Sequence, residues 1–272
     1  MLIDTHCHLD ASEFDHDRTA VADQAIQFGV RAIVIPAIGR MNFSTVRDLA
    51  HTFAGGTYAL GIHPLFVRQA ADEDLDHLRH AIEASLDDPR FVAIGEIGLD
   101  FFVPEISSGE PRARQERFFD AQLKLAREYG LPVLVHVRRS QDIVLKYLRR
   151  IDVPTGIAHA FNGSHEQAQA FVDRGFALGV GGEMTHERAQ RIRRHATGFD
   201  LSHLVLETDS PDIPPAWLHK PNRRNTPGEI PRIAQTLAEL RGVSTSVVAE
   251  ATAATAFRVM PRLARLLQTQ TV

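Results

Sequence analysis

Short apolar runs rich in β-branched residues alternate along this chain with longer stretches whose apolar positions recur every three or four residues. The runs Leu2–His8, Arg31–Pro36, Thr57–His63, Val92–Gly98, Pro132–Arg138, Gly156–Phe161, Ala177–Gly181 and Leu204–Asp209 read as strands. Helical periodicity occupies the stretches between them, near Thr19–Phe28, Asn42–Ala54, Asp72–Ser85, Arg112–Tyr129, Gln141–Arg149, His165–Arg174 and Arg188–His195. After the eighth run come helical patterns at Pro227–Arg241, Thr245–Phe257 and Arg258–Leu267. Phe118, Gln122, Leu125 and Tyr129 keep a helical spacing, Ser164 with Gln167 predicts a capping box, and Gly175 predicts a helix stop. Eight strand–helix alternations predict a parallel sheet of the α/β class, and eight is the number that closes a TIM-type (β/α)8 barrel. An open doubly wound sheet is the alternative, but no GxGxxG opens a helix and no P-loop is present. Residues 1–272 thus read as one barrel domain with C-terminal helices over about 227–267. Val103–Pro111 and Ser210–Pro227 read as long loops, the first over the barrel mouth.

Composition adds three things. The 272 residues carry a net charge of −4, so nucleic acid would have to be held locally rather than by a global basic field. Cys7 is the one cysteine, which excludes a disulfide framework and an all-cysteine metal site. Histidines number 14, while lysine occurs only at Lys124, Lys146 and Lys220. Met1-Leu2-Ile3 runs straight into Asp4 without a basic leader, and no apolar stretch approaches the ~20 residues of a membrane span. The expectation is a cytoplasmic protein, with no membrane association and no evident obligate protein partner.

The histidines are divided by position. His6 and His8 are two apart and share a strand face with Asp4, while Cys7 points to the helical layer as a small buried hydrophobe. Glu96, His136, His159 and Asp209 stand at or near the carboxyl ends of their runs. In a barrel that is the rim where active sites are built. Four imidazoles and two carboxylates on one rim are costly unless something satisfies them, and metal ions do so. The set is too large for one tetrahedral zinc and suits two divalent metal ions (Zn, Mn, Co, Ni or, less well, Mg). No lysine lies at a strand end to serve as a carbamylated bridge, so Glu96 is the natural one. His63, before Pro64, would overfill the ligand shell and reads as a substrate contact. Arg138, and more weakly Arg224, are candidates to hold a phosphate, and Glu207 to orient a ligand histidine. His186-Glu187 begins like a zincin helix, but Gln190 stands where the second histidine belongs. The other histidines read as mostly surface residues.

These segments together resemble the TatD family of metal-dependent hydrolases. The resemblance is carried by Asp4-Thr5-His6-Cys7-His8-Leu9, Gly61-Ile62-His63-Pro64, Ile94-Gly95-Glu96-Ile97-Gly98-Leu99-Asp100 and His136-Val137-Arg138. It continues through His159-Ala160-Phe161-Asn162-Gly163-Ser164, Leu206-Glu207-Thr208-Asp209-Ser210-Pro211, the helix from Gln115 to Ala126, and Arg224-Asn225-Thr226-Pro227. It implies a barrel of the amidohydrolase superfamily with a two-metal site. By motif position His6, His8 and Asp209 would bind one metal, Glu96 would bridge, and His136 and His159 would bind the other. It implies deoxyribonuclease activity, often 3′→5′ exonucleolytic, on DNA or a small phosphodiester; Asp209, a ligand beside the water such metals would activate, reads as the general base. A deacylase or other ester or amide hydrolase on the same metals is the first alternative, since such ions polarise carbonyls too. A non-enzymatic, metal-stabilised scaffold is the second.

Overall fold

The computed structural model describes residues 1–221 and 223–269. One sheet runs in chain order through β1 (Leu2–Asp4), β2 (Val30–Pro36), β3 (Gly56–Leu60), β4 (Phe91–Asp100), β5 (Val133–Arg138), β6 (Gly156–His159), β7 (Ala177–Val180) and β8 (Leu204–Leu206). Each strand pairs in parallel with the next. The helices are α1 (Arg18–Gln27), α2 (Phe43–Ala50), α3 (Asp74–Ser85), α4 (Gly109–Tyr129), α5 (Gln141–Arg150), α6 (His165–Val172), α7 (Gln190–Gly198), α8 (Ile230–Arg241), α9 (Thr245–Val259) and α10 (Pro261–Thr269). None among the described residues is long and apolar enough to cross a membrane. The sheet curls into a TIM-type (β/α)8 barrel. Its seam is drawn together locally: Thr5 donates its N–H and its hydroxyl to the Leu206 carbonyl, both at 3.0 Å. Asp209 N–H reaches the His6 carbonyl at 2.9 Å, and His8 N–H the Ser210 carbonyl at 2.8 Å.

Two apolar layers hold this arrangement. Inside the barrel, Ile3, Ala32, Val34, Ala59, Leu134, Ile157, Ala177 and Val205 pack against Val259, Met260 and Leu263. The last helices thus plug the amino end of the barrel, where Arg262 also donates to the Leu86 and Asp88 carbonyls at 2.7 Å each. Outside, Ile33, Ile35, Tyr58, Leu60, Val133 and Val135 meet the inner faces of the helices, and Cys7 belongs to this layer. The α6 capping box forms as its sequence predicts, with Ser164 Oγ accepting from Gln167 N–H at 3.2 Å and Ser164 N–H donating to Gln167 Oε1 at 2.9 Å. Gly175 takes φ +80° just beyond the helix end.

Several boundaries differ from the pattern, for one physical reason. β1 stops at Asp4, β3 at Leu60 and β8 at Leu206, so His6, His8, His63 and Asp209 lie beyond regular strand. There, side chains take over from ladder partners. His6 N–H donates to Asp4 Oδ1 at 3.2 Å, and Ile62 N–H to Gln122 Oε1 at 2.7 Å. β4 instead runs on to Asp100, whose N–H donates to Gln115 Oε1 at 2.9 Å. Val103–Pro111 is not all loop: it holds a 3-10 turn over Pro104–Ile106 and the first residues of α4, which admits Pro111 in its opening turn.

Gln115 and Gln122 are seven residues apart on α4, hence on one face, and both are buried. Gln122 also donates to the Ile62 carbonyl at 3.1 Å, and Gln115 to the Asp100 and Ile106 carbonyls at 3.2 and 2.7 Å. One helix thereby fixes the ends of two neighbouring strands at the mouth. Gln122→Leu leaves the buried Ile62 N–H and carbonyl without partners, at about 1–3 kcal/mol each. Chemical denaturation should show a loss of about 2–6 kcal/mol. An unchanged midpoint would mean that the clamp is dispensable.

Candidate metal centre

The carboxyl ends of β1, β4, β5, β6 and β8 bring His6, His8, Glu96, His136, His159 and Asp209 together around Glu96. That carboxylate is buried, and its two oxygens face different partners. Oε2 lies 3.0 Å from His6 Nε2 and 3.4 Å from His8 Nε2. Oε1 lies 2.9 Å from His136 Nδ1 and 3.4 Å from His63 Nε2. Asp209 Oδ1 is 3.6 Å from His8 Nε2, 3.8 Å from His6 Nε2 and 3.5 Å from His159 Nε2. Three donor triplets could each hold an ion: His6–His8–Asp209, His6–Glu96–His159 and His63–Glu96–His136.

The electrostatics follow from this crowding. Burial alone would raise the Glu96 carboxyl, but the charges of His63 and His6 and the bonds from His136 and His6 hold it well below the usual range. Asp209 is likewise opposed by burial, yet His159, His6 and His8 bring it down to about 2. For His8, burial lowers the imidazole, and Glu96 and Asp209 override it to about 9. His159 is carried well above its ordinary value, against burial, by Glu207 and Asp209. His6 stays lowered, by burial and by the neighbouring His159, whose ring stacks on it at 3.7 Å. Ionised carboxylates thus face imidazoles that take protons to balance them, the place a divalent cation fills with more charge and fixed geometry.

Tautomers inferred from hydrogen bonds separate two of the imidazoles. Leu65 N–H donates to His63 Nδ1 at 3.2 Å, so His63 Nε2 carries the proton and acts as a donor. His136 Nε2 lies 3.1 Å from Asp100 Oδ2, which accepts its proton and leaves Nδ1 as a lone pair. That lone pair lies 2.9 Å from Glu96 Oε1, a repulsive approach between two acceptors unless a proton or cation lies between them. His6 Nδ1, His159 Nδ1 and Glu207 Oε2 are buried without a hydrogen-bond partner among the described residues. Imidazole nitrogens and carboxylate oxygens converging within 2.9–3.8 Å of one another fit divalent metal.

The supports of the site are themselves polar and buried. Asp4 accepts from the N–H groups of His6 and Thr208 at 3.2 and 3.0 Å, and from the Thr208 hydroxyl at 2.6 Å. It joins the segment carrying His6 and His8 to the one carrying Asp209, and burial raises its carboxyl to about 7. Asp209 sits at φ +55°, in the left-handed region that aspartate tolerates. Asn225 holds the following loop by donating to the Thr208 and Asp212 carbonyls at 2.8 and 2.9 Å. Glu207 accepts from Ala160 N–H at 2.6 Å and stands 3.1 Å from His159 Nδ1, beside the imidazole that the sequence suggests it orients. Its carboxylate occupies the space above Gly179, where a Cβ would lie 2.2 Å from Oε2.

Asp4, Asp100, Gln115, Gln122 and Asn225 are functional supports that the sequence pattern does not single out. Asp100 carries a readable signal, since it stands four residues beyond Glu96 on one strand face. The buried amides carry none until their backbone partners are placed.

A cavity of about 880 Å3 opens over the cluster, lined by His8, His63, Glu96, His136, His159 and Asp209 and, at its rim, by Phe102, Arg138, Arg139 and Arg191. Arg138 is half exposed, with its guanidinium 3.8 Å from the Phe102 ring centroid and 3.9 Å from Asp100. Arg224 is not brought to this mouth. Its guanidinium is spent on Asp17, at 2.8 and 2.6 Å, and on the Glu13 carbonyl at 2.8 Å. One histidine expected at the surface, His195, is also corrected. His195 is buried against Phe161 and Phe199, with Nε2 donating to the Gly163 carbonyl at 2.9 Å. His186, half-buried, reaches the Pro214 carbonyl at 3.0 Å. Phe199 lies one helical turn beyond His195, but Phe161 is 34 positions away, and that second ring is what a local pattern does not reveal.

Residues 3–261 match the family model described as TatD related DNase. A metal-dependent hydrolase of Escherichia coli K12, YjjV, is 40% identical over 252 residues, 92% of this chain and 93% of that protein. Human deoxyribonuclease TATDN3 is 31% identical, covering 98% of this chain and 97% of its own. The crystal structure of the E. coli TatD homolog YJJV superposes with a TM-score of 0.88 at 38% identity, covering 96% of this chain and 98% of that one.

The fit of Glu207 over Gly179 yields a direct test. Gly179→Ala places a methyl inside the carboxylate, so Glu207 must leave the Ala160 amide. Overpacking of this kind costs about 1–3 kcal/mol in a denaturant titration. Unaltered stability would show that Glu207 swings aside freely.

Proposed function

The chain belongs to the TatD-related DNase family of metal-dependent hydrolases, and from that premise we propose that it cleaves phosphodiester bonds in DNA, as a 3′→5′ exonuclease using two divalent ions. His6, His8 and Asp209 would hold one ion, His136 and His159 the other, and Glu96 would bridge them. The observation that carries this reading is the division of Glu96, one oxygen toward His6 and His8, the other toward His136. When bound, such ions supply Lewis acidity toward a phosphoryl oxygen and make water easier to deprotonate. Zinc, manganese, cobalt and nickel suit this imidazole-rich set better than magnesium.

The chain's own groups do the rest. Asp209, held ionised down to about pH 2, is always in the form that accepts a proton from the attacking water. His63, neutral and with its proton on Nε2, lines the cavity beside His136 and Glu96 and would donate to a phosphate oxygen there. Arg138, at the rim, offers a guanidinium fork to the phosphate as charge builds on it. Phe102, 43% exposed, holds the guanidiniums of Arg138 and Arg139 over its ring, 3.8 and 4.7 Å from the centroid, and so keeps both at the rim. These features favour a phosphodiester over an acyl substrate.

The experiment follows hydrolysis of defined single- and double-stranded oligonucleotides, bis-p-nitrophenyl phosphate and acyl esters after chelation and metal add-back. Cleavage of DNA should require added metal, with mononucleotides released from the 3′ end. Glu96→Ala should lower the rate by at least about 10³-fold, the scale of losing a preorganised charged group. Ester cleavage without phosphodiester cleavage would overturn the reading, as would full activity in pure Glu96→Ala protein.

A further inference from the structure

Beside the main cavity lies a second one of about 630 Å3, between the segment that enters α7 and the loop that follows β8. The two share Asn162, Glu183, Arg191 and Ile213 at their junction, so they form one continuous groove. Four guanidiniums line the second part, those of Arg188, Arg191, Arg194 and Arg223, against the single carboxylate of Glu183. Arg79, Arg112, Arg117 and Arg224, elsewhere on this protein, pair with Glu128, Glu116, Glu110 and Asp17. Among the described residues, no carboxylate pairs with Arg188, Arg194 or Arg223. In a chain of net charge −4 this is a local concentration of unspent positive charge. It leads directly away from the cluster around Glu96.

We propose that this groove is a binding site for the sugar-phosphate backbone of one nucleic-acid strand, running from the metal centre past Arg191 to Arg188, Arg194 and Arg223. The inference rests on the phosphodiester reading of the main cavity and extends it to a site several nucleotides from the scissile bond. The guanidinium is matched to phosphate in shape, charge and hydrogen bonding. Arg191 lines both cavities, so a strand leaving the cluster along the groove would pass it. A peptide carrying carboxylates would satisfy the same charges, but nothing connects it to a phosphodiester held next door. An electropositive groove that tracks the backbone is how single strands are bound without regard to sequence.

The test is binding, read separately from catalysis. A fluorescent, fully phosphorothioate single strand of about twelve nucleotides is titrated with the full chain in manganese-containing buffer, over about 50 to 200 mM salt. The triple variant Arg188→Gln, Arg194→Gln, Arg223→Gln should bind at least about tenfold more weakly at the lower salt. The slope of log affinity against log salt should be shallower by about two, at ~0.7 for each phosphate no longer neutralised. Arg194→Glu alone should weaken binding in the same direction, which covers the case of a poorly folding triple variant. Identical affinity and salt slope in wild type and variants would overturn the proposal, as would equal binding of a polyglutamate of similar length. Weaker binding in the variants of a protein that hydrolyses no phosphodiester would uphold the groove and sink the proposed activity. Dinucleotide and longer strand cleaved with the same kcat/KM, in wild type and variants alike, would sink the groove and leave the activity standing.

Discussion

A buried carboxylate that must serve two sets of imidazoles is the constraint on which the mouth of this barrel depends. Glu96 has no solvent to stabilise its charge, and burial works against ionisation. It stays ionised because nitrogens from β5 and from the segments after β1 and β3 converge on its two oxygens. Each of those nitrogens is there because an element behind it is held in place. His136 is anchored through Asp100, His63 through the Gln122 clamp on Ile62, and His6 through Asp4. The apolar layers supply the bulk of the folding free energy, but they do not determine where these donors point.

Polar groups are normally kept out of protein interiors, and here they are concentrated there. Asp4, Glu96, Asp100 and Glu207 are all buried, and each carboxylate except Glu96 is satisfied largely by backbone, hydroxyl or imidazole donors belonging to the scaffold. Glu96 instead faces imidazole nitrogens that a divalent ion would take as ligands. The scaffold therefore satisfies its own charges and leaves the centre electrostatically incomplete, as a metal-dependent hydrolase requires. At the rim the balance reverses, since Arg138, Arg139 and Arg191 face solvent and make the approach to an acidic centre electropositive. That polarity suits an anionic substrate that must come close to carboxylates.

Much of this is legible in the sequence. Eight alternations between apolar runs and helical periods point to the barrel, because period-two and period-3.6 patterns report burial directly. The converging donors are legible too, because barrel topology assigns all strand ends to one rim. What the pattern does not carry is the length of β1, β3 and β8, since side-chain acceptors replace the ladder at the mouth and hydrophobic pattern is blind to that exchange. The clamping roles of Gln115, Gln122 and Asn225 are hidden for the same reason: an amide is buried at those positions because distant backbone groups need its hydrogen bonds. Arg224 misleads because its partner Asp17 is 207 positions away in sequence.

The central claim is that Glu96 joins two metal sites, and metal binding itself tests it most directly. Calorimetric titration of the chelator-treated protein with zinc, with metal content checked after dialysis, measures the number of ions per chain. The account predicts two ions for the wild-type chain and the loss of tight binding at both sites in Glu96→Gln. One ion per chain, or two ions bound as tightly without the Glu96 carboxylate, would contradict it.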